Sequence, residues 1–211
     1  MFKLYYHPGA CSTSNHFALE DAGVEYEAIP VDLKDLQDRL TQEVRRLNPM
    51  AQLPILLTND GQVLTQNIAI LPYIADLAPE VRLFPPRGTS DRIQAESWLS
   101  FIAADLHPTL AAEFPWTQLW EDPAAALRSR QFWEERVARR LVVLEERLST
   151  RDFIMGDQYC VTDGYALVVL NWSEPTNLSL EPYPNIRAYM ARVSARPAIQ
   201  RVMDIEGPII W

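Results

Sequence analysis

The sequence predicts a fold class of α/β followed by all-α, and three observations support this prediction. In roughly the first 80 residues, strand-like and helix-like stretches alternate as β-α-β-α-β-β-α, a pattern compatible with a layered fold on a small mixed sheet. Beyond that part, no convincing strand is expected. Between the two parts, residues 78–90 carry three prolines and one glycine, as interdomain linkers often do. We therefore expect domains at residues 1–79 and 90–211, joined by a linker at residues 80–89.

Turn and stop signals divide the first half into its elements. Gly23 is expected to end the first helix, because glycine readily adopts the left-handed conformation that follows many helices. Pro49 ends the second helix, because the residue before a proline is pushed away from helical angles. The Asp60–Gly61 step predicts a hairpin between the third and fourth strands. The expected strands are residues 2–6, 26–31, 54–57 and 62–64, and the expected helices are residues 14–22, 36–47 and 66–77.

The second half reads as a series of helices. The longest one places apolar side chains at spacings of three to four residues, and only Glu134 interrupts the stripe. Asp163 follows Cys160 by three residues, in the arrangement of a capping box. Because a thiol is a poor cap, we expect this helix start to rely on Thr162 or on Asp163 itself. The expected stripe is Leu127, Val137, Leu141, Leu144 and Leu148, and the expected helices are residues 91–107, 124–148, 165–172, 184–194 and 197–203.

Composition and charge exclude several classes of function. The chain has 211 residues, 48% of them hydrophobic and 22% charged, which is ordinary for a globular protein. Its net charge of −9 argues against partners such as nucleic acid or an anionic membrane. The N-terminus lacks the pattern of a signal peptide, and two distant cysteines make no disulfide framework. These features predict a cytoplasmic location.

Cys11 is the residue that first suggests a chemical function. It lies where a strand, residues 2–6, gives way to a helix-like run. The start of a helix carries the positive end of the dipole and unpaired N–H groups, and both favour a thiolate over a thiol. A reactive thiol is therefore one interpretation. The other is a small buried hydrophobic residue, and the local sequence leaves both open.

Two further segments carry possible chemistry. Gln52–Leu53–Pro54 precedes the third strand, and this proline is either cis, which exposes the Leu53 backbone to an extended peptide, or an ordinary trans residue. Gln66–Asn67 opens the third helix, where N–H groups and amides either hold a carboxylate or form a plain N-cap. In isolation each segment leaves its alternatives open. Their order and spacing after Cys11 are the more specific signal.

Several motifs along the chain form a recognisable set, namely residues 5–12 (YYHPGACS), residues 48–54 (NPMAQLP), residues 64–70 (LTQNIAI), Trp98, His107, residues 156–159 (GDQY), Asp163 and Arg196–Pro197. The whole chain resembles the cytosolic glutathione transferases, most of all the bacterial beta class. The resemblance implies an N-terminal thioredoxin-like domain followed by a helical domain. It also implies a homodimer, with the active site between the two domains and close to the partner subunit.

The same resemblance implies roles for individual residues. Cys11 is placed beside the glutathione sulfur, Ser12 is a neighbouring hydroxyl donor, and His107 borders the electrophile. The implied activity is the conjugation of glutathione to small hydrophobic electrophiles, a detoxification reaction in which a stabilised thiolate attacks an electrophilic carbon. Glutathione is then a co-substrate, and neither a metal nor a permanently bound cofactor is expected. The implied glutathione-binding set is Gln52, Leu53, Pro54, Gln66, Asn67 and Ser100.

The chain departs from the family pattern around the expected glutathione carboxylates. Leu36 and Met50 stand where members often have lysines, and Arg39 is a candidate substitute. The helix-opening pair is Gln66–Asn67, where Glu–Ser or Gln–Ser is common. The other departures are Ser100, where asparagine is common, and Pro108, where lysine is frequent.

Three functions are compatible with the sequence. The first is the transferase, and the second is a glutathione-dependent thiol–disulfide oxidoreductase or peroxidase, because the spacing of Cys11 and Ser14 resembles that of monothiol glutaredoxins. The third is a non-catalytic interaction module of the same fold, which the missing lysines favour. His107 is alternatively an ordinary helix-interior histidine. Trp116 and Trp120 line either an electrophile pocket or the core.

Overall fold

The computed structural model describes residues 1–32, 38–114 and 122–207. Its N-terminal part contains a four-stranded mixed sheet in the order β2-β1-β3-β4, in which β1 is parallel to β2 and antiparallel to β3. This arrangement confirms the predicted α/β topology. The elements are β1 (Phe2–Tyr6), α1 (Thr13–Ala22), β2 (Tyr26–Pro30), α2 (Arg39–Leu47), β3 (Ile55–Leu57), β4 (Val63–Thr65) and α3 (Asn67–Leu77).

The turn signals act as the sequence predicts. Gly23 follows α1 in the left-handed conformation, with φ of 64°, and its N–H binds the last carbonyls of the helix. Gly61 has φ of 84° in the turn between β3 and β4. The predicted helix at residues 36–47 is described from Arg39 onward, and its expected first residue, Leu36, lies outside the described residues.

Beyond the sheet, the described chain is helical, as predicted. A short 3-10 turn, Pro79–Val81, follows α3, and the next helix begins at Ser90. The single helix expected at residues 91–107 is instead an α-helix, a π-helical segment (Ile102–Leu106) and a further α-helix. The α-helices are α4 (Ser90–Phe101), α5 (His107–Ala111), α6 (Pro123–Leu148), α7 (Val161–Asn171), α8 (Pro184–Ser194) and α9 (Pro197–Glu206).

Helix α1 joins the sheet domain to the helical domain. It packs against α3 on one side and against α7 and α9 on the other, and Phe17 and Leu19 are fully buried. Alternation along β1 divides the core, because successive strand side chains point to opposite faces. Leu4 belongs to a large core shared by both domains, whereas Tyr5 packs with Val44 under α2.

The apolar stripe of α6 is shorter than predicted. Val137, Leu141, Leu144 and Leu148 are buried, but Leu127 is 57% exposed, so its expected place in the core was wrong. The helix has 26 residues. At 1.5 Å per residue it is about 39 Å long, as long as a whole small domain, and its N-terminal half extends past the core.

Asp163 is a structural residue at the start of α7. Its carboxylate accepts hydrogen bonds from the backbone N–H groups of Cys160 (2.8 Å) and Ile154 (2.9 Å) and from the Tyr189 hydroxyl (2.9 Å). The carboxylate therefore caps α7 and ties two neighbouring segments to it. This confirms the expectation that the helix start relies on Asp163.

Among the described residues, no helix is both long enough and apolar enough to cross a membrane. In the same residues, no group of three or more His, Cys, Asp and Glu side chains is arranged to hold a metal ion.

Candidate active site

A cavity of about 1240 Å³ opens between the loops at the edge of the sheet and the helices α5 and α6. The sheet domain contributes the loop before α1, the segment before β3 and the start of α3. The helical domain contributes the π-helical segment, α5, α6 and α7. The lining includes His7, Cys11, Asp32, Gln52, Leu53, Pro54, Gln66, Asn67, Ala103, Ala104, His107, Pro108, Ala111, Ala112, Ser129, Trp133 and Tyr165. Of the predicted site residues, Ser12 and Ser100 are not in this lining.

Cys11 lies in the cavity wall, but its thiol is not the acidic group that the helix start suggested. Burial raises the pKa of the Cys11 thiol to about 11, and the nearby backbone N–H groups and the Asn67 amide only partly offset this effect. The Sγ atom donates a hydrogen bond to the carbonyl oxygen of Leu53 at 3.6 Å. At neutral pH, Cys11 is therefore a neutral thiol.

The Ser12 hydroxyl is turned away from the cavity. It accepts a hydrogen bond from the His7 N–H at 3.0 Å and donates to the His7 carbonyl at 3.3 Å. Ser12 is fully buried. This geometry differs from the expectation of a hydroxyl aimed at the thiol, because closing the turn that carries Cys11 already uses both functions of the oxygen.

The segment before β3 presents its backbone to the cavity. The Leu53–Pro54 peptide bond is cis, as the resemblance implied. Pairing between β3 and β1 starts at Ile55, so Leu53 lies beyond the ladder. The Asn48 side chain donates a hydrogen bond to the carbonyl of Gln52, the residue before Leu53, at 2.9 Å and so fixes its position.

The start of α3 combines an unusual backbone with a bracing side chain. Gln66 has φ of 71°, a left-handed value that is uncommon outside glycine and is often found at functional sites. Asn67 is 5% exposed, accepts from the Asn15 amide at 2.6 Å and donates to the Cys11 carbonyl at 3.1 Å. The Asn67 side chain therefore holds the loop of Cys11.

The π-helical segment has a local cause and places His107. Pro108 has no N–H to bind the carbonyl of Ala104, so a regular α-helix is interrupted there. In the following turn, the Thr109 hydroxyl lies 2.8 Å from the Asp105 carbonyl and 2.9 Å from the Leu106 carbonyl. The wider turn keeps Ala103 and His107 on the same wall of the cavity.

His107 contacts two aromatic residues, Tyr165 within α7 and Trp172 directly after its last residue. Its Nδ1 lies 2.6 Å from the Tyr165 hydroxyl oxygen, and the Trp172 ring meets it edge to face with centroids 4.7 Å apart. Burial lowers the pKa of His107 to about 4, so the imidazole is neutral at physiological pH. The sequence identified Tyr165 and Trp172 only as parts of an apolar helix. Their hydroxyl and indole N–H groups were the features that could have indicated a hydrogen-bonding role.

The remaining predicted residues lie elsewhere. Ser100 is exposed on α4, Met50 is 70% exposed, and Arg39 is exposed at the start of α2. Within residues 1–32, 38–114 and 122–207, no lysine or arginine lines the cavity, whereas Asp32 does. Leu36, Trp116 and Trp120 lie outside the described residues.

Comparison with known proteins shows the family. The model of the glutathione S-transferase N-terminal domain matches residues 1–76, and that of the glutathione S-transferase C-terminal domain matches residues 129–197. Glutathione S-transferase GstA of Escherichia coli O157:H7 is 32% identical over 97% of this chain and 98% of its own length. The chain belongs to the glutathione S-transferase family.

Solved structures of other glutathione transferases have the same fold over the whole chain. The transferase from Methylococcus capsulatus is 40% identical, with a TM-score of 0.89 over 98% of this chain and 99% of that one. The beta-class transferase of Sphingomonas chungbukensis is 31% identical, with a TM-score of 0.87 over 97% and 98% of the two chains. These likenesses confirm the resemblance to the beta class.

Those relatives that are named as enzymes are of two kinds. Besides the transferases, maleylacetoacetate isomerase of Pseudomonas aeruginosa is 26% identical over 98% of this chain and 97% of its own length. The chain is accordingly a glutathione transferase-type enzyme.

Proposed function

We propose that this protein conjugates glutathione to small hydrophobic electrophiles in the cavity between its two domains. The observation that carries the proposal is the convergence of Cys11, Leu53, Gln66 and His107 on one cavity, although they come from four separate segments of the chain. A solved relative, a sphingomonad glutathione S-transferase that is 33% identical with a TM-score of 0.87, is a complex with glutathione.

The sheet domain offers the binding groups for the tripeptide. The Leu53 backbone, beyond the β-ladder, is available to pair with the cysteinyl part of glutathione, and Gln52 and Pro54 flank it. The γ-glutamyl carboxylate fits the start of α3, where Gln66 and the first N–H groups of the helix lie at the positive end of its dipole. Asn67 contributes by holding the Cys11 loop.

Cys11 serves in this proposal as a neutral hydrogen-bond donor. When glutathione pairs with Leu53, the Cys11 S–H is free to turn from the Leu53 carbonyl to the glutathione sulfur. The glutathione thiol loses its proton to solvent, its sulfur forms the new bond to carbon, and the leaving group departs with the electron pair of the broken bond. Donors aimed at the sulfur favour the thiolate.

The helical side of the cavity supplies the electrophile site. Its wall includes the small apolar side chains of Ala103, Ala104 and Ala111 and the Trp133 ring. Small side chains leave room, and an aromatic ring offers a large apolar contact surface. His107, neutral because burial lowers its pKa, borders this side without adding a charge.

The thiol–disulfide alternative is less well supported. Exchange needs a thiolate, and a pKa of about 11 leaves roughly one Cys11 in 10⁴ ionised at neutral pH. Its remaining support is that Cys11 reaches the cavity.

Calorimetry with glutathione tests the proposal, and no measurable binding at millimolar glutathione overturns both enzyme hypotheses. If glutathione binds, activity is measured with a chloronitrobenzene electrophile and with a small disulfide. Cys11→Ser keeps a donor but cannot form a mixed disulfide, whereas Cys11→Ala removes the donor. We expect Cys11→Ser to retain more transferase activity than Cys11→Ala.

We further propose that the protein acts as a homodimer in the cytoplasm. The dimer is proposed from the family resemblance, and the exposed apolar side chains of Ile93 on α4 (66%) and Phe132 on α6 (52%) are candidates for burial in its interface. Cys11 and Cys160 are free thiols, as expected in a reducing compartment. Sedimentation velocity tests the dimer, and a single monomeric species at micromolar concentration contradicts it.

A further inference from the structure

Tyr165 is a residue of α7 that lines the cavity. The residue is 2% exposed, yet it borders the cavity next to His107 and Cys11. A buried hydroxyl costs free energy unless it is hydrogen-bonded, so the hydrogen-bond partners of the Tyr165 hydroxyl define its role.

The distance between Tyr165 and His107 indicates which of them donates. The Oη and Nδ1 atoms are 2.6 Å apart. Hydrogen bonds from N–H donors to oxygen have donor–acceptor distances of about 2.7–3.2 Å, so this contact is shorter than a bond donated by Nδ1–H to the phenol oxygen. A phenol is also the stronger acid of the two when the imidazole is neutral. The hydroxyl therefore donates to Nδ1.

The amide of Asn67 is consistent with this direction. Its Nδ2 faces the Cys11 carbonyl, which can only accept, so the orientation of the amide is fixed. A hydrogen bond from Asn67 also acts on Tyr165, where it partly offsets the rise of the Tyr165 pKa caused by burial. The Asn67 amide therefore acts on Tyr165 as a donor group, which agrees with a hydroxyl whose own proton is directed to His107.

The position of the imidazole ring is held from a second side. The Trp172 ring packs edge to face against it at 4.7 Å between centroids, and the Trp172 indole N–H donates to the Gly9 carbonyl at 2.9 Å. The ring of His107 is thereby contacted by two aromatic side chains, with Nδ1 toward Tyr165, and the residue lines the cavity.

We infer that Tyr165 is a positioning residue that holds His107 as the neutral tautomer with its proton on Nε2, directed as a donor into the cavity. A donor of this kind stabilises negative charge on a sulfur or a leaving group without bringing a counter-charge. The effect on turnover rests on the proposed transfer reaction, but the tautomer itself does not.

Nitrogen NMR of the ¹⁵N-histidine-labelled full chain tests the tautomer directly. The protein has three histidines, so His107→Gln assigns the His107 signals by their disappearance. We expect the wild-type spectrum at pH 7 to show an unprotonated Nδ1 and a protonated Nε2 for His107. A protonated Nδ1 overturns the inference, and this measurement requires neither a Tyr165 variant nor glutathione.

Tyr165→Phe tests the positioning role, with Tyr183→Phe as the matched removal of a hydroxyl remote from the cavity. We expect Tyr165→Phe to mix the two tautomers of His107 and to lower kcat about 10-fold, less than the loss of a whole oxyanion donor, with the KM for glutathione nearly unchanged. An unchanged kcat in Tyr165→Phe overturns the inference. Failure of wild-type protein to bind glutathione overturns the proposed function, while the NMR result still decides the tautomer.

Discussion

The indole N–H of Trp172 donates a hydrogen bond of 2.9 Å to the carbonyl oxygen of Gly9. This bond reaches from the end of α7 in the helical domain to the loop that carries Cys11 in the sheet domain. Asn67 holds the same loop from α3 through the Cys11 carbonyl. The loop at the centre of the proposed site is therefore fixed by side chains from both domains.

Trp172→Phe is expected to lower kcat/KM strongly and the free energy of unfolding only slightly. The phenyl ring keeps most of the packing against His107 and Phe114 but leaves the Gly9 carbonyl without its donor. A neutral hydrogen bond contributes about 1 kcal/mol to the free energy of unfolding. We expect the free energy of unfolding to fall by about that amount in denaturant unfolding. We expect kcat/KM for conjugation to fall by a factor that corresponds to a larger free-energy change than this. If the variant has the kcat/KM of the wild type but a lower free energy of unfolding, a role of Trp172 in positioning the loop is contradicted.

The ionisation of Cys11 can be measured by alkylation. Because burial raises its pKa to about 11, the thiol stays protonated at neutral pH, and only the thiolate reacts with iodoacetamide. We expect the alkylation rate to be low at pH 7 and to keep rising up to about pH 11. Cys11→Ala is the control for reaction at Cys160, which is buried. A rate that levels off near pH 7 contradicts the buried-thiol description and revives thiol–disulfide exchange.

Elements with local signals were predictable from the sequence, and contacts between distant segments were not. The strand Phe2–Tyr6 and the helix Pro184–Ser194 have the predicted bounds, because a stretch rich in aromatic residues and a proline at the first helical position are local signals. The bond between His107 and Tyr165 spans 58 positions of sequence. An aromatic residue in an apolar helix resembles an ordinary core residue until its partner is known.

The candidate site was predictable as a set of positions but not as a set of hydrogen bonds. The family resemblance implied that Cys11 and Gln66 belong to one site, and both line the same cavity. The resemblance did not show that the Ser12 hydroxyl is used by His7, because this depends on how the turn closes. Likewise, the helix start left a reactive thiolate and a buried thiol open for Cys11, and the degree of burial, which the sequence does not reveal, raises its pKa.

Gly164→Ala is expected to be destabilising because α7 passes very close to Tyr159. A Cβ atom at this position would lie 2.6 Å from the Tyr159 hydroxyl oxygen, closer than real Cβ contacts. The Tyr159 ring cannot easily move, since the Arg196 guanidinium lies 3.7 Å above its centroid. Overpacking of this kind costs about 1–3 kcal/mol.

A double variant separates this clash from other effects of the added methyl group. Tyr159→Phe removes the atom that the Cβ would meet, so Gly164→Ala should cost less in that background. Thermal or urea unfolding of the four proteins gives the coupling free energy. Additive effects of the two substitutions contradict the clash as the cause.

Arg196→Gln is expected to destabilise the contact between α1 and α9 in a pH-dependent way. Arg196 donates to Asp21 at 2.8 Å, and the Asp21 side chain is 9% exposed. Burial raises the Asp21 pKa above its usual value, and Arg196 acts in the opposite direction. Without the arginine, the buried carboxylate lacks its nearest counter-charge, which costs about 1–3 kcal/mol at neutral pH.

The sign of the pH dependence follows from the raised pKa of Asp21. A carboxyl with a raised pKa in the folded state stabilises the fold below its unfolded pKa of about 4 and loses that contribution as the pH rises. Arg196→Gln raises this pKa further, so the stability difference from wild type should be largest near pH 7 and shrink towards pH 4. Arg201→Gln, which removes a largely exposed partner of Glu20 at 2.9 Å, is the matched control and should show a smaller loss. A stability difference for Arg196→Gln that stays constant from pH 7 to pH 4 in urea unfolding contradicts the assignment, because it would mean that the Asp21 charge contributes nothing to the effect.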